Sequence, residues 1–516
     1  MEDKSSKDTS NKKNGKVILV GAGPGDPGLI TLNGVRALEE ADVILYDYLA
    51  NPSILQYANP AAEKVCLGKH GNSRIWTQAE INQDLVERAK TGKTIVRLKG
   101  GDPGVFARGA EEAEVLAAAG IPFEIIPGIT AALAAGSYAG VPITHRDHAS
   151  AVALITGQQR AETEEQTDLD YETLAKFPGT LVFYMGITTI AKWSAGLLKA
   201  GKPAATPTAL IRRCSFADQQ SWFTTLGEVG ELVQGKIRPP VVVIVGDVAR
   251  LADTLSWFDK RPLFGQRILV TRAASDRDKL TDRLTRLGGN VFSQPTIQIA
   301  PPSNWQDVDD VIRQLADQDA AAIEWLMFSS SNGVHYFMQR VMQQHDVRIL
   351  GRTKIATVGA STAESLQQYN LKADFVPEQR RAESLAKGLI DACTSPQKIV
   401  SIRASRGRDV LAKMLTEAGH DIREIVAYEH TDVEQPDEDI ATSLKNLEFD
   451  WVTVTSSAIA RSLVQMFGDD LQETKLVSIS PITTDTLKEL GFAPAAEATS
   501  YDMDGVVAAI MEAVSS

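Results

Sequence analysis

Four times in its N-terminal half the chain runs an apolar, strand-like segment into a turn built from glycine and proline. Lys16-Val-Ile-Leu-Val20 leads into Gly21-Ala-Gly-Pro-Gly-Asp-Pro-Gly28, Leu98-Lys99 into Gly100-Gly-Asp-Pro-Gly104, Ile126 into Pro127-Gly128, and Tyr184 into Met185-Gly186. Turns of this kind at the carboxyl ends of neighbouring strands meet along one edge, where open α/β sheets bind ligands. Strand-like runs alternate with helical segments along the whole chain, so the expected fold class is α/β.

In this half the strand-like runs are Val17–Val20, Asp42–Tyr46, Thr94–Leu98, Ala151–Thr156, Thr180–Tyr184 and Val241–Val245. Helical patterns cover Ala79–Thr91 and Gly109–Ala119, the second stopped by Gly120. The acidic stretch Gln158–Lys176 reads as a surface loop with a short helix. A break falls at Phe258-Asp-Lys-Arg-Pro-Leu-Phe-Gly265, before a new run, Arg267–Arg272. Beyond it the chain repeats itself loosely. Trp325–Asn332 is similar to Trp451–Ala458, and Ile355–Thr362 to Leu476–Thr483; each is a strand with a hydroxyl-rich turn, which predicts two similar α/β lobes.

Composition narrows the function. The 516 residues exceed one typical domain. A net charge of −13, from 53 basic and 66 acidic residues, argues against nucleic acid as the main partner and requires any anionic ligand to be met by local arginine clusters. Three scattered cysteines suggest neither a disulfide framework nor a metal site and fit a reducing cytoplasm. No apolar stretch of about 18 residues predicts a membrane span. Residues 1–14 lack the apolar core of a signal peptide and read as a disordered tail.

The first glycine turn contains a literal G-x-G-x-x-G at Gly23, Gly25 and Gly28, with Asp47 placed where a dinucleotide-binding acid would meet a ribose. Pro24 and Pro27 count against that reading, because they remove amide donors that a diphosphate needs. A tight ligand-free turn and a rigid rim for a neutral or cationic cofactor are the other two readings, and the three later turns favour the rim.

VGAGPGDPGLIT, RLKGGDPGVFARGAEE, PGITAA and YMG, in this order and spacing, resemble the tetrapyrrole methylases, with uroporphyrinogen-III C-methyltransferase the specific match, from about Gly15 to Leu251. The resemblance implies a two-domain fold unlike the Rossmann methyltransferases, with S-adenosylmethionine as co-substrate in the cleft between domains. Contacts to it are implied for Pro24, Gly100, Gly101, Asp102, Val105, Thr130, Ala131 and Met185, and for Cys214, where the family commonly has glycine. Asp47 and Lys69 match positions used, or proposed, as proton acceptor and donor. Arg108 and Glu111, one helical turn apart, form a rival acid–base and anchoring pair; a solvated ion pair is the plain alternative for them. Arg97, Lys99, Arg108, Arg146, Arg212 and Arg213 are the local cations available to a substrate with eight carboxylates. The family implies a homodimer through this half.

From about Gly265 to Ser516 the pieces ILVTRA, FSSSNGV, ATVGAST, SIRASRGRDVLAKML, IVAYEHT, VTVTSSAIA and SISPITTDTL resemble uroporphyrinogen-III synthase, a fold of two α/β lobes joined by a two-stranded linker. The implied reaction closes linear hydroxymethylbilane with loss of water and inversion of the last ring, without metal or cofactor. Candidate substrate contacts are Arg272, Ser330, Thr362, Arg403, Ser456 and Thr483, with Arg406 and Arg408 as further cations. Tyr428 matches the tyrosine assigned to assisting hydroxyl departure; its alternative is a strand-end tyrosine with a solvated hydroxyl.

The expected architecture is a tail at 1–14, a methylase at 15–258, a linker at 259–264 and a synthase at 265–516, its lobes being 265–302 plus 433–516, and 303–432. The expected function is a cytoplasmic, bifunctional tetrapyrrole enzyme that uses S-adenosylmethionine and no metal. Competing readings are a methylase with a catalytically silent second half, a methylase carrying a two-lobed binding protein, and, for the first half, a nicotinamide dehydrogenase.

Overall fold

The structure is a computed structural model that describes residues 15–68, 75–157, 169–272, 279–317, 322–378, 382–406 and 410–515. It divides into two compact units, one holding the described residues up to Gln266, the other most of those from Arg267 to Val514. Each unit contains two five-stranded sheets.

In the first unit, β1 (Lys16–Gly21), β2 (Val43–Tyr46), β3 (Glu63–Cys66), β4 (Thr94–Lys99) and β5 (Phe123–Ile126) form a parallel sheet in the order β3-β2-β4-β1-β5. Helices cover both faces, so central strands read as unbroken apolar runs. Val17 and Leu19 join the cluster under the helices Gln78–Lys90 and Gly109–Ala118, while Ile18 and Val20 join the one on the opposite face. The chain leaves β1 towards β2 and leaves β4 towards β5, in opposite directions, so the carboxyl ends of these neighbours lie open to a ligand.

The second sheet holds β6 (Val152–Thr156), β7 (Thr180–Tyr184), β8 (Pro207–Arg212), β9 (Gln220–Thr225) and β10 (Val241–Val245) in the order β6-β7-β10-β8-β9, with only β6 and β7 parallel. The stretch 259–264, expected as a linker, is packed instead. Phe258 and Leu263 are buried, the Arg261 guanidinium lies 3.7 Å from the Phe258 ring centre, and Phe258 sits 4.7 Å from the Tyr138 ring. Burial of two large apolar side chains outweighs the loop-forming bias of Pro262 and Gly265.

In the second unit the strands are β11 (Arg267–Val270), β12 (Asn290–Ser293), β13 (Ile297–Ala300), β14 (Trp325–Phe328), β15 (Lys354–Thr357), β16 (Lys398–Ala404), β17 (Asp421–Asp432), β18 (Trp451–Val454), β19 (Lys475–Ser478) and β20 (Ala496–Glu497). They form sheets in the orders β12-β11-β18-β19-β20 and β13-β17-β16-β14-β15. The boundary expected at residue 302 is corrected here: β13 pairs antiparallel with the end of β17 and so shares a sheet with the inserted segment, not with β11. The register runs from Ile297 opposite Asp432 to Ala300 opposite Glu429. The internal repeat extends to side-chain detail. Lys354 Nζ lies 5.3 Å from the Trp325 ring centre, and Lys475 Nζ lies 5.3 Å from that of Trp451.

The tightest backbone contact in the first unit joins Gly21, Gly101 and Gly128. A Cβ built on Gly128 would lie 2.3 Å from the Gly101 carbonyl oxygen and 2.7 Å from the Gly21 Cα, with no flexible side chain to yield. Gly128→Ala is therefore expected to destabilise the first unit by about 1–3 kcal/mol, seen as a lowered melting temperature; an unchanged melting curve would show that the turn relaxes freely.

Candidate functional site

The first turn is closed on itself. The amides of Ala22 and Gly23 donate to the carbonyls of Lys99 and Gly101 (2.8 and 3.1 Å), and that of Leu29 to Asp26 O (3.0 Å). The Asp26 amide donates to Ser215 Oγ (2.9 Å), and the Gly28 amide to Asp26 Oδ1 (2.8 Å). With Pro24 and Pro27 lacking N–H groups, Gly25 alone is left between residues 22 and 29, so no amide nest for a diphosphate exists. Gly25 serves packing: a Cβ there would lie 2.4 Å from the Phe216 ring and 2.9 Å from Cys214 O. Asn51 Nδ2 donates to Gly25 O (2.7 Å), and the Tyr138 hydroxyl donates to Asp26 Oδ2 (2.8 Å), which completes a rigid rim. The dinucleotide reading of this loop is overturned.

The other turns come to the same place. Gly101 N donates back to Gly23 O (2.8 Å), closing an antiparallel bridge between the first and second turns. Asp102 bonds the Gly104 amide at 2.7 Å within its own turn and the Gly128 amide at 2.9 Å in the third. Thr130 and Tyr184 hydroxyls lie 2.6 Å apart, and the same Tyr184 oxygen accepts from Ala132 N (2.9 Å). The Phe106 ring leans on Tyr184 at 5.0 Å, and the Cys214 thiol donates to Ala131 O at 3.8 Å. Pro24, Gly100–Val105, Thr130, Ala131, Met185 and Cys214 thus belong to one connected cluster. Tyr184, which ties the third and fourth turns together, is an addition from the structure; its signal was its place at the strand end just before Met185.

Backbone conformation singles out the same cluster. Phe106, Arg108, Met185, Arg213 and Ser215 all have left-handed φ, between 49° and 64°, five of the seven such non-glycine residues among those described. Left-handed backbone is strained for side-chain-bearing residues and persists where the surroundings impose it, commonly at functional sites.

Beside the turns lies a buried charge cluster. Strand alternation puts Ile95, Arg97 and Lys99 on the face covered by the helix Gly109–Ala118, whose first turn offers Glu112. Arg97 and Lys99 are each 2% exposed and Glu112 is fully buried. Glu112 Oε1 accepts from Lys99 Nζ (2.6 Å), Arg97 Nε (3.3 Å) and Gln78 Nε2 (3.1 Å). Arg97 Nη2 reaches Asp47 Oδ1 at 2.6 Å, and the Asp47 side chain remains partly exposed. Burial first, then the neighbouring Arg97 charge, lower the Lys99 pKa, opposed by Glu112 and Asp47. Arg108 and Glu111 lie apart from this buried cluster: they pair with each other at 2.6 Å with both side chains about half exposed, because the helix phase turns Glu111 outward and Glu112 inward. Lys69 lies outside the described residues.

In the second unit the hydroxyl turns serve first as helix caps. Ser330 Oγ accepts from Gly333 N (3.1 Å) and Ser456 Oγ from Ile459 N (3.2 Å). Tyr428 is buried, its hydroxyl 2.8 Å from Ser330 Oγ, so the solvated-hydroxyl alternative is excluded. Burial raises the Tyr428 pKa, opposed by the Ser330 bond. Thr362 and Thr483 face the interior, Thr483 within 3.2 Å of Ser480 Oγ, which removes them from the open turn surface. Arg403 pairs with Glu424 (2.9 Å), and Arg406 grips Asp432 through two bonds of 2.8 Å. Arg272 follows β11, half-buried, and Arg408 lies outside the described residues.

Burial pushes the Cys214 thiol up to about 12. It stays protonated at any pH the fold tolerates, and what it offers its neighbours is backbone and volume. Alkylation with iodoacetamide at pH 8 is expected to spare Cys214 in the folded chain and modify it in denaturant; mass spectrometry showing rapid native labelling there would contradict this burial.

Comparisons with known proteins identify both halves of the chain. The model for tetrapyrrole (corrin/porphyrin) methylases matches residues 16–230, and that for uroporphyrinogen-III synthase HemD matches residues 246–508. A porphyrin biosynthesis protein HemD of Ruminiclostridium josui is 33% identical over 480 residues, 92% of this chain and 94% of that protein. An S-adenosyl-L-methionine-dependent uroporphyrinogen III methyltransferase of Methanosarcina barkeri is 50% identical over 242 residues, 47% of this chain and 94% of that one. The solved uroporphyrin-III C-methyl transferase of Thermus thermophilus, complexed with S-adenyl homocysteine, is 40% identical, covers 46% of this chain and 100% of its own, and has a TM-score of 0.40. The chain therefore belongs to the tetrapyrrole methylases in its first half and to the HemD uroporphyrinogen-III synthases in its second.

Proposed function

We propose that the chain performs two consecutive steps: the second unit cyclises hydroxymethylbilane to uroporphyrinogen III, and the first methylates that product twice, giving precorrin-2 for sirohaem or cobalamin synthesis. The observation that carries the methylase half is the closed, proline-stiffened rim joined to three further turns, with no free amide nest for a diphosphate. The residues present fit S-adenosylmethionine: backbone groups of Gly100, Gly101, Thr130, Ala131 and Cys214 offer polar contacts without fixed charge, and Met185 and Phe106 are exposed apolar groups at the same place. When bound, that compound supplies an electrophilic methyl group on a sulfonium. The chain's part is to orient the ring carbon towards it and then to remove the ring proton; Asp47, partly open and held by Arg97, is the base in this reading.

For the synthase half, the support is the repeated strand–cap–helix unit, which sets hydroxyls and helix amides at strand ends, a neutral surface for carboxylates. Tyr428 and Ser330 form one hydroxyl pair there. Positioning a flexible polyanion for ring inversion, not one proton donor, carries most of the rate in this reading.

Calorimetry on the full chain is expected to show binding of S-adenosylhomocysteine and none of NAD; the reverse result refutes the methylase reading. Supplied with hydroxymethylbilane and S-adenosylmethionine, the chain should form dimethylated product, followed by absorbance. Accumulation of uncyclised hydroxymethylbilane would leave the second half a silent partner. Tyr428→Phe should keep more than about one hundredth of the cyclisation rate, since a dedicated proton donor is worth roughly 10²-fold or more. Asp47→Asn should slow single-turnover methylation by about 10²-fold, whereas Arg108→Lys should change it little.

A further inference from the structure

Asp47 does not meet Arg97 alone. The guanidinium is fixed at all three nitrogens: Nη2 on Asp47 (2.6 Å), Nη1 on the Leu98 carbonyl (3.2 Å) and Nε on Glu112 (3.3 Å). Glu112 also holds Lys99 at 2.6 Å, so one carboxylate oxygen sits between two cations that stand two residues apart on β4. Two buried positive charges side by side need such a counter-ion. Of the four groups, Asp47 has a side chain 29% exposed, against 3% for Arg97, 2% for Lys99 and 0% for Glu112. Asp47 is thus the one of the four that presents appreciable surface, and Glu112 presents none. Among the described residues Glu112 Oε2 has no hydrogen-bond partner, so all the polar contacts of the carboxylate run through Oε1 to Lys99, Arg97 and Gln78. Its position on the two cations is the feature left to explain.

We propose that Glu112 is a positioning residue for methylation: it clamps Arg97 and Lys99 behind β4, which orients the Arg97 guanidinium on Asp47. This rests on the reading of the first unit as a methyltransferase with Asp47 as its base. The charged groups facing Asp47 and Glu112 are Arg97 and Lys99 from β4 and, further off, Arg108 at the start of the Gly109–Ala118 helix; the helix Gln78–Lys90 contributes the neutral Gln78. As drawn, two cations balance two carboxylates. Lys99→Met removes the second cation held by Glu112 but leaves the Glu112–Arg97 and Arg97–Asp47 contacts in place. Glu112→Gln alone frees Arg97 Nε and loosens the orientation of the guanidinium.

The test measures methylation of uroporphyrinogen III by the full chain, with S-adenosylhomocysteine affinity as the check of folding. Glu112→Gln is expected to lower kcat about tenfold or more with the KM for S-adenosylmethionine unchanged. Lys99→Met, which leaves the Glu112–Arg97 bond in place, should lower kcat less than Glu112→Gln does. The proposal is overturned if Glu112→Gln binds S-adenosylhomocysteine and turns over like the wild type, or if Lys99→Met, binding normally, loses as much kcat as Glu112→Gln. It is equally overturned if the single variants fail to bind while Lys99→Met/Glu112→Gln binds and shows full kcat, since the four groups then serve folding alone. A wild-type chain that transfers no methyl group, or an Asp47→Asn variant with full activity, refutes instead the methyltransferase or base reading beneath the proposal, before any change at Glu112.

Discussion

Contact between main chains, with no side chain between them, is the constraint on which the first unit's site depends. Gly21, Gly101 and Gly128 come from three different strand ends, and the Cβ of any other residue at Gly21 or Gly128 would meet backbone closer than 3 Å. Because the strand ends approach this closely, the first and second turns can bridge through Gly23 and Gly101, and the Asp102 carboxylate can reach the Gly128 amide. The turns become one object. Its rim inherits the rigidity of the parallel sheet, and the left-handed φ at Phe106, Met185, Arg213 and Ser215 is held by neighbours that cannot retreat.

Much of this was legible because glycine and proline report directly on backbone geometry and on missing donors. The strands β1, β7 and β10 were legible for a different reason: burial on both faces makes their sequences largely continuous apolar runs. Glu63–Cys66 and Gln220–Thr225 were not, since each is an edge strand whose open side admits Glu63, Lys64 and Gln220 and so breaks the apolar pattern. The charge cluster was misjudged at one residue. Glu111 and Glu112 are adjacent, and choosing between them needs the phase of the helix. That phase was available: Gly109, Glu112, Ala113 and Leu116 recur at i, i+3, i+4 and i+7 and are the buried residues of the helix. A carboxylate on an apolar stripe, opposite a strand reading Arg97-Leu98-Lys99, is the signal that was missed.

In the second unit the repeat was legible from two short strand–turn matches and holds in the coordinates down to the lysine over each tryptophan. Each lobe makes the same unit, a four-residue strand, an extended residue and a helix, with φ of −162° and −169° at the capping residues Ser330 and Ser456. What the pattern could not reveal was which hydroxyls remain available. Ser330 and Ser456 are oriented by cap bonds, while Thr362 and Thr483, similar in sequence, rotate inward because they sit within the first turn and not at the cap. Three residues of offset from the cap, nearly one helical turn, decide between turn surface and core.

That difference bears on how a polyanion is held in an acidic chain. The arginines once considered for this task are engaged: Arg403 with Glu424, and Arg406 with Asp432, whose carboxyl those bonds and that from Ser462 hold down at about 2. Asp432 ends β17, Arg406 follows β16, and Ser462 belongs to the helix Ser457–Phe467 over the other sheet, so one carboxylate ties parts of both lobes. Such a group stays ionised at neutral pH and repels carboxylates near it. On the proposed reading, a ligand rich in carboxylates is therefore better met at the strand ends capped by Ser330 and Ser456, whose cap bonds are to amides and not to an acid, than at the arginines themselves. In that reading, discrimination between ring orientations follows from shape along those ends, since neutral donors spaced by the strands favour one placement of the carboxylates while a mobile guanidinium would accept several.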